Sequence, residues 1–201
     1  MLERKKKILS LLIGSAIGDA LGVPYEFRAR GTFCCTTMIG NGTHLQPVGT
    51  WSDDTSMSLC LAEQIVEGFD LNKLADKFLN WCKSGYMTAH GDTFDIGGAT
   101  LRAITRYNNG IKPVKCGGTG IRDNGNGSLM RIAPLVFYST KYEEVRDVSS
   151  LTHAHEISVS ACYIYIQFLN YLLQGLPKGF GYNEVLAHLD SDFWKVVFPH
   201  N

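Results

Sequence analysis

The chain of 201 residues has the length of one domain, and at 45% apolar residues it can bury a core of its own. Its 19 basic and 19 acidic residues cancel, which leaves no electrostatic footprint for nucleic acid or a membrane surface and points to a small partner. The cysteines (Cys34, Cys35, Cys60, Cys82, Cys116 and Cys162) form no C-x-x-C pair and no zinc-type spacing with the histidines, so reduced, buried thiols of a cytoplasmic protein are expected.

The first stretch, "RKKKILSLLIGSAIGDA", imitates a signal peptide, with a basic start, an apolar run and small residues. Glu3 sits within the basic region, however, and Leu21-Gly22-Val23-Pro24 carries the pattern on to a helix stop. Ile8, Leu11, Leu12 and Ser15 form one stripe, and Gly14, Ala16, Gly18 and Ala20 are expected to keep the helix thin for close packing. Next comes "GTWSDDTSMSLCLAEQIVEGF", in which Met57, Cys60, Leu61 and Ile65 recur at helical spacing and Ser52 stands at the N-cap position. Two readings of Asp53 and Asp54 stay open. They can be first-turn acids, each stabilising the helix by about 0.3–1 kcal/mol. Alternatively, Ser-Asp-Asp-Thr offers hard oxygen donors within one turn, as Mg²⁺ or Ca²⁺ requires.

Asp70 is placed to cap a helix carrying Leu71, Leu74, Phe78 and Cys82, with Lys83 near the end where the helix dipole favours a cation. Asp95 precedes "IGGATLRAITRYNNG", with Gly110 as its stop. Ile111 to Gly127 has no apolar periodicity and reads as a loop, and "SLMRIAPLVFY" reads as a helix after it. In "DNGNGSLMRIAPL", Gly125, Asn126, Gly127 and Ser128 suit either a glycine-rich turn or a solvent-facing loop whose N–H groups approach an anion. His153 and His155 precede the uncharged run Ile157 to Leu176, which is long enough to cross a bilayer. Polar residues spread along it favour a central helix wrapped by others. With strand patterns rare and brief, the expected class is all-α, one domain over residues 1–201.

In order and spacing, "GSAIGDALGVPYEF", "WSDDTSMSLCLAE", "FDIGGAT", "GNGSLMRIAPL" and "LTHAHEIS" resemble the ADP-ribosylglycohydrolase family. The resemblance implies an orthogonal multi-helix bundle that hydrolyses the glycosidic bond between ADP-ribose and a modified protein side chain, with Mg²⁺ or Mn²⁺ as a binuclear cofactor. It further implies Ser52, Asp53 and Asp54 as metal ligands, and Glu26 as a ligand or water-positioning base. Asp95 would stand at the ribose, Gly125, Asn126, Gly127, Ser128 and Met130 around the phosphates, and His153 at the nucleotide. Arg131 would brace the loop. The implied partners are ADP-ribose or an ADP-ribosylated protein, with no membrane and no sequence-specific nucleic acid.

One departure stands out. The family's C-terminal Gly-Gly-Asp-Thr-Asp-Thr motif, which supplies the other half of the binuclear site, does not occur before Asn201. The expectation is therefore a C-terminally truncated bundle with an incomplete metal site, exposing apolar surface on the Ile157–Leu176 helix and completed by a partner chain or homodimer. A binding module without catalysis, or a structural protein derived from the fold, is the alternative.

Overall fold

The helical periodicity of the sequence is realised in a computed structural model that describes residues 2–188 as α-helices joined by loops and short 3-10 turns. The helices are α1 (Leu2–Gly22), α2 (Asp53–Val66), α3 (Leu71–Ser84), α4 (Gly98–Asn108), α5 (Tyr142–Ser150), α6 (Glu156–Leu173) and α7 (Lys178–His188). No strand occurs among the described residues, which hold two isolated bridges, Asn41 with Gln46 and Gly118 with His153. Residues 189–201, which the single-domain expectation includes, lie outside the described residues.

Caps set several boundaries as the residue chemistry dictates. Ser52 is the N-cap of α2. Asp70 Oδ1 accepts from the Asn72 and Lys73 amides at 2.8 and 3.1 Å, so two otherwise unpaired N–H groups at the start of α3 are satisfied. Helix α3 ends at Gly85, whose φ of +67° admits glycine readily, and a Cβ there would also run into the Gly91 carbonyl. His155 caps α6 by accepting from the Ile157 amide at 3.2 Å.

The core lies between α2, α3, α5 and α6. Met57, Cys60 and Leu61 meet Leu74, Phe78 and Trp81 on one side and Ile132, Leu135, Val148, Cys162 and Ile166 on the other. Helix α6 packs against α5, α7 and the 3-10 turn Ala133–Phe137, with Val159, Cys162 and Ile166 buried and most of its other side chains partly covered.

Three expectations need correction. "SLMRIAPLVFY" is not an α-helix but a run of turns followed by the 3-10 segment Ala133–Phe137, because Pro134 lacks an N–H and disfavours α geometry in the residue before it. Gly14 and Gly18 are exposed, and among the described residues nothing lies within 4 Å of where a Cβ would sit. They share the outward side of α1 with exposed Leu9, Ile13 and Ile17, whereas Ile8, Leu11, Leu12 and Ser15 turn inward. Helix α6 exposes Ile157 and, with Ala161, Ile164, Tyr165 and Phe168, lines an open apolar groove beside Leu129 and Met130, in line with the apolar surface expected on it, and α1 carries further exposed apolar side chains. Finally, Cys34 and Cys35 are exposed rather than buried, because they lie in the loop after α1 and on no apolar helix face. The segment Leu2–Tyr25, whose most apolar 18-residue window has a mean hydropathy of 1.5, is the one described helix long and apolar enough to cross a membrane by length and composition. Here its inward stripe packs on α2 and the Ala133–Phe137 turn.

Candidate active site

Asp19 organises the acidic turn. An acid on the inward stripe of α1, its carboxylate accepts from the Ser52 amide at 3.0–3.1 Å, Ser52 Oγ at 2.8 Å, the Thr55 amide at 3.0 Å and Thr55 Oγ1 at 2.6 Å. The start of α2 is thereby tied to α1. Ser52 Oγ is turned toward Asp19 and the Asp54 amide, while Asp53 and Asp54 line a cavity of about 480 Å³.

Four carboxylates line this cavity: Asp53, Asp54, Glu26 and Asp95. Burial, then the nearby Asp54, raises the Asp53 carboxyl from 3.8 to about 8. Burial, then Asp19, raises Asp54 to about 6. Glu26 rises to about 7, again from burial first and then from its contact with Asp95. Acids packed this closely favour a neutralising cation. His44 Nε2 lies 2.5 Å from Glu26 Oε2 and 3.8 Å from Asp95, and Glu26, His44 and Asp95 offer ligand atoms within 4.8 Å of one another.

The same cavity is lined by Gly97, Gly98, Ala99, Thr100 and Arg102 of α4 and its approach, and by Arg122, Gly125, Asn126, Gly127, Met130 and His153. No side chain caps the start of α4, so its first amides are available to an anion. Gly125 and Asn126 are exposed, but Gly127 and Ser128 are buried, which corrects the expectation of a wholly solvent-facing loop. A Cβ on Gly127 would fall 2.6 Å from His153 Cε1 and 3.0 Å from Thr100 Oγ1. Ser128 Oγ is 2.9 Å from Ser149 Oγ and accepts from the Cys162 thiol at 3.4 Å, so it holds the loop down from beneath and does not line the cavity.

Arg131 is entirely buried and bends away from the cavity. It donates to the Val148 carbonyl at 3.3–3.4 Å and to Thr152 Oγ1 at 2.7 Å, with its guanidinium 4.7 Å from the Phe78 ring centre. Thr152 Oγ1 in turn lies 2.9 Å from His153 Nδ1. Burial, then Arg131, lowers His153 to about 4, so its imidazole is neutral at pH 7.

A sequence profile of the ADP-ribosylglycohydrolase family matches residues 1–196. The chain belongs to this family. It is 34% identical over 185 residues to the ADP-ribosylarginine hydrolase Tri1 of Serratia proteamaculans, covering 88% of this chain and 50% of that protein. It is 28% identical to the ADP-ribosyl-[dinitrogen reductase] glycohydrolase of Rhodospirillum rubrum, covering 93% and 65%. A solved ADP-ribosylglycohydrolase-related protein complex superposes with a TM-score of 0.79 at 33% identity, over 96% of this chain and 64% of that one. The chain thus spans about half the length of the Serratia relative and about two thirds of the others.

Of the site residues that the resemblance implied, Glu26, Asp53, Asp54, Asp95, Gly125, Asn126, Gly127, Met130 and His153 line one cavity, while Ser52 and Ser128 lie beneath it. Sequence reasoning passed over Asp19, His44, Thr100 and Phe27. For Asp19 a signal existed, namely a lone acid in register with Ser15 on the inward stripe of an ADP-ribosylglycohydrolase first helix. For the others none did. The family is metal-dependent, and hard, mutually repelling carboxylates with a histidine beside them suit a divalent cation.

Proposed function

We propose that this chain carries the ADP-ribose site and the acidic residues of a hydrolase that cleaves the glycosidic bond between ADP-ribose and a modified protein side chain. The observation that carries the reading is that one cavity holds both a cluster of carboxylates and an anion-binding wall of glycine loop and uncapped helix start. The relatives named for removing ADP-ribose from arginine or from dinitrogen reductase support it.

In this scheme the pyrophosphate lies along the Gly125–Gly127 loop and the start of α4, where backbone N–H groups and the helix dipole favour negative charge. Neutral His153, fixed from below by Thr152 and Arg131, gives the nucleotide a polar wall with no charge of its own. Asp53 and Asp54 would hold Mg²⁺ or Mn²⁺, with Ser52 and Asp19 keeping their turn in place. Such a cation, when bound, supplies a Lewis acid near the ribose. Glu26 takes the proton of the water that attacks the ribose as the glycosidic bond breaks, and the departing side-chain nitrogen or oxygen, which leaves with the bond electrons, regains a proton from Glu26 or from solvent. In the metal-free site burial and Asp95 push the Glu26 carboxyl up, which makes it a stronger proton acceptor than an exposed glutamate, and His44 fixes its direction. Asp95 and Glu26 face the positive charge that grows on the ribose as the bond breaks.

The test is release of ADP-ribose from arginine- and serine-modified proteins with and without Mg²⁺, alongside calorimetry with ADP-ribose. The expected result is ADP-ribose binding that Gly127→Ala weakens, little or no release by this chain alone, and, once a polypeptide bearing the family's C-terminal Gly-Gly-Asp-Thr-Asp-Thr element is supplied, Mg²⁺-dependent release that Glu26→Gln abolishes. Release that persists at the parent rate in Glu26→Gln would overturn the assignment of the base. ADP-ribose binding without any release, even with that polypeptide and Mg²⁺ present, would favour the binding module over the enzyme.

A further inference from the structure

Phe27 is an apolar side chain held in water by an unfavourable backbone. Its φ is +61°, a region that a bulky L-residue rarely enters, at the third position of a turn closed by the Arg28 amide donating to the Tyr25 carbonyl, and the residue is 81% exposed. Burial in the core therefore does not explain the conformation. Asp95, which lines the same cavity beside His44, is also left-handed, with φ +51°. Strained residues of this kind collect where a ligand is clamped. The ring stands edge-on to His44, with centroids 5.8 Å apart and planes at 63°. His44 is the residue that reaches Glu26 and Asp95. An exposed aromatic ring thus borders the carboxylates, at the part of the cavity assigned above to bond cleavage and apart from the Gly125–Gly127 loop.

Resting on the proposed hydrolase reading, we infer that Phe27 is the platform for the leaving group and that it favours a planar cation, a guanidinium, over an uncharged hydroxyl side chain. The chemistry is that of an aromatic surface beside acids: a guanidinium stacks on the ring while its N–H groups donate to Glu26 or Asp95, whereas a serine oxygen has neither a flat surface nor a charge to offer. The residue acts on specificity and takes no part in proton transfer.

The experiment is calorimetry on the full chain in EDTA, so that no bond is cleaved, with three probes: ADP-ribose, ADP-ribosyl-arginine and ADP-ribosyl-serine. The parent should bind the arginine-linked compound more tightly than the other two. In Phe27→Ala the affinity for that compound should fall roughly three- to thirty-fold more than the affinity for ADP-ribose, and Phe27→Trp should restore it. Phe27→Gly separates strain from contact, since it should melt higher than the parent and still lose the arginine preference. Equal losses for all three probes in Phe27→Ala, or an undiminished arginine preference, would overturn the inference while leaving the hydrolase reading intact. Failure of the parent to bind any of the three in EDTA, and to bind ADP-ribose with Mg²⁺ restored, would remove the hydrolase reading and this inference with it.

Discussion

Replacing Asp53 by Asn should stabilise the metal-free protein, even though it removes an acid from the first turn of a helix. Two effects oppose each other. A first-turn charge is worth about 0.3–1 kcal/mol through the helix dipole. Against it stands the cost of ionising a buried carboxyl next to Asp54 and Asp95, which lifts its pKa from 3.8 to about 8. At pH 7 the unfolded chain carries the charge about three units above its pKa while the folded chain still holds the proton, a difference of about 4 kcal/mol in linkage free energy. The electrostatic cost is the larger effect. A carboxyl whose folded pKa exceeds its unfolded one binds its proton more tightly in the fold, so stability falls as pH climbs from about 4 to about 8 and levels off above that. The neutral amide escapes this loss. Thermal melting in EDTA at pH 8 should therefore place Asp53→Asn above the parent by several degrees and at most about 15 °C, with the gap closing toward pH 4. Added Mg²⁺ should raise the melting temperature of the parent and leave the variant nearly unmoved. A variant that melts at or below the parent at pH 8 in EDTA would refute the reasoning and make Asp53 a helix-start residue first.

Two further outcomes follow from the contacts around the site. Asp19→Asn puts an amide where two backbone N–H groups and two hydroxyls now converge on a carboxylate, so it should cost about 1–3 kcal/mol in denaturant melts and weaken divalent-ion affinity; a melt matching the parent would speak against Asp19 as the organiser of the turn. Gly127→Ala should cost about 1–3 kcal/mol as its methyl displaces His153, read as a lower melting temperature together with weaker ADP-ribose binding, and unchanged melting would mean that the loop and His153 have room to give.

The elements that the sequence announced most clearly are those whose stability is local. Asp70 and Ser52 cap helices through side chains two or three residues from their targets, and the apolar spacing of α3 is unbroken. The helix expected from Ser128 onward failed because its apolar residues keep helical spacing while Pro134 forbids the backbone. The residues of the cavity were legible as motifs, but the contacts that arm them were not. His44 approaches Glu26 across eighteen positions, and Asp19 reaches Ser52 across thirty-three. Such pairings depend on how loops and helices fold back on each other. Phe27 was hidden for the opposite reason, since a phenylalanine in a sequence reads as core, and only its backbone angle and exposure show otherwise.

Helix α1 buries little of itself, with Ala20 its one fully covered residue, yet through Asp19 it holds the turn that bears the acids. The two are therefore thermodynamically one unit. Fraying of α1 as far as Asp19 frees the Ser52 and Thr55 amides together with the carboxylates beside them, and any ion or sugar that fastens those carboxylates must, by reciprocity, fasten the helix. Grip on the ligand is then set partly by a surface helix that never touches it.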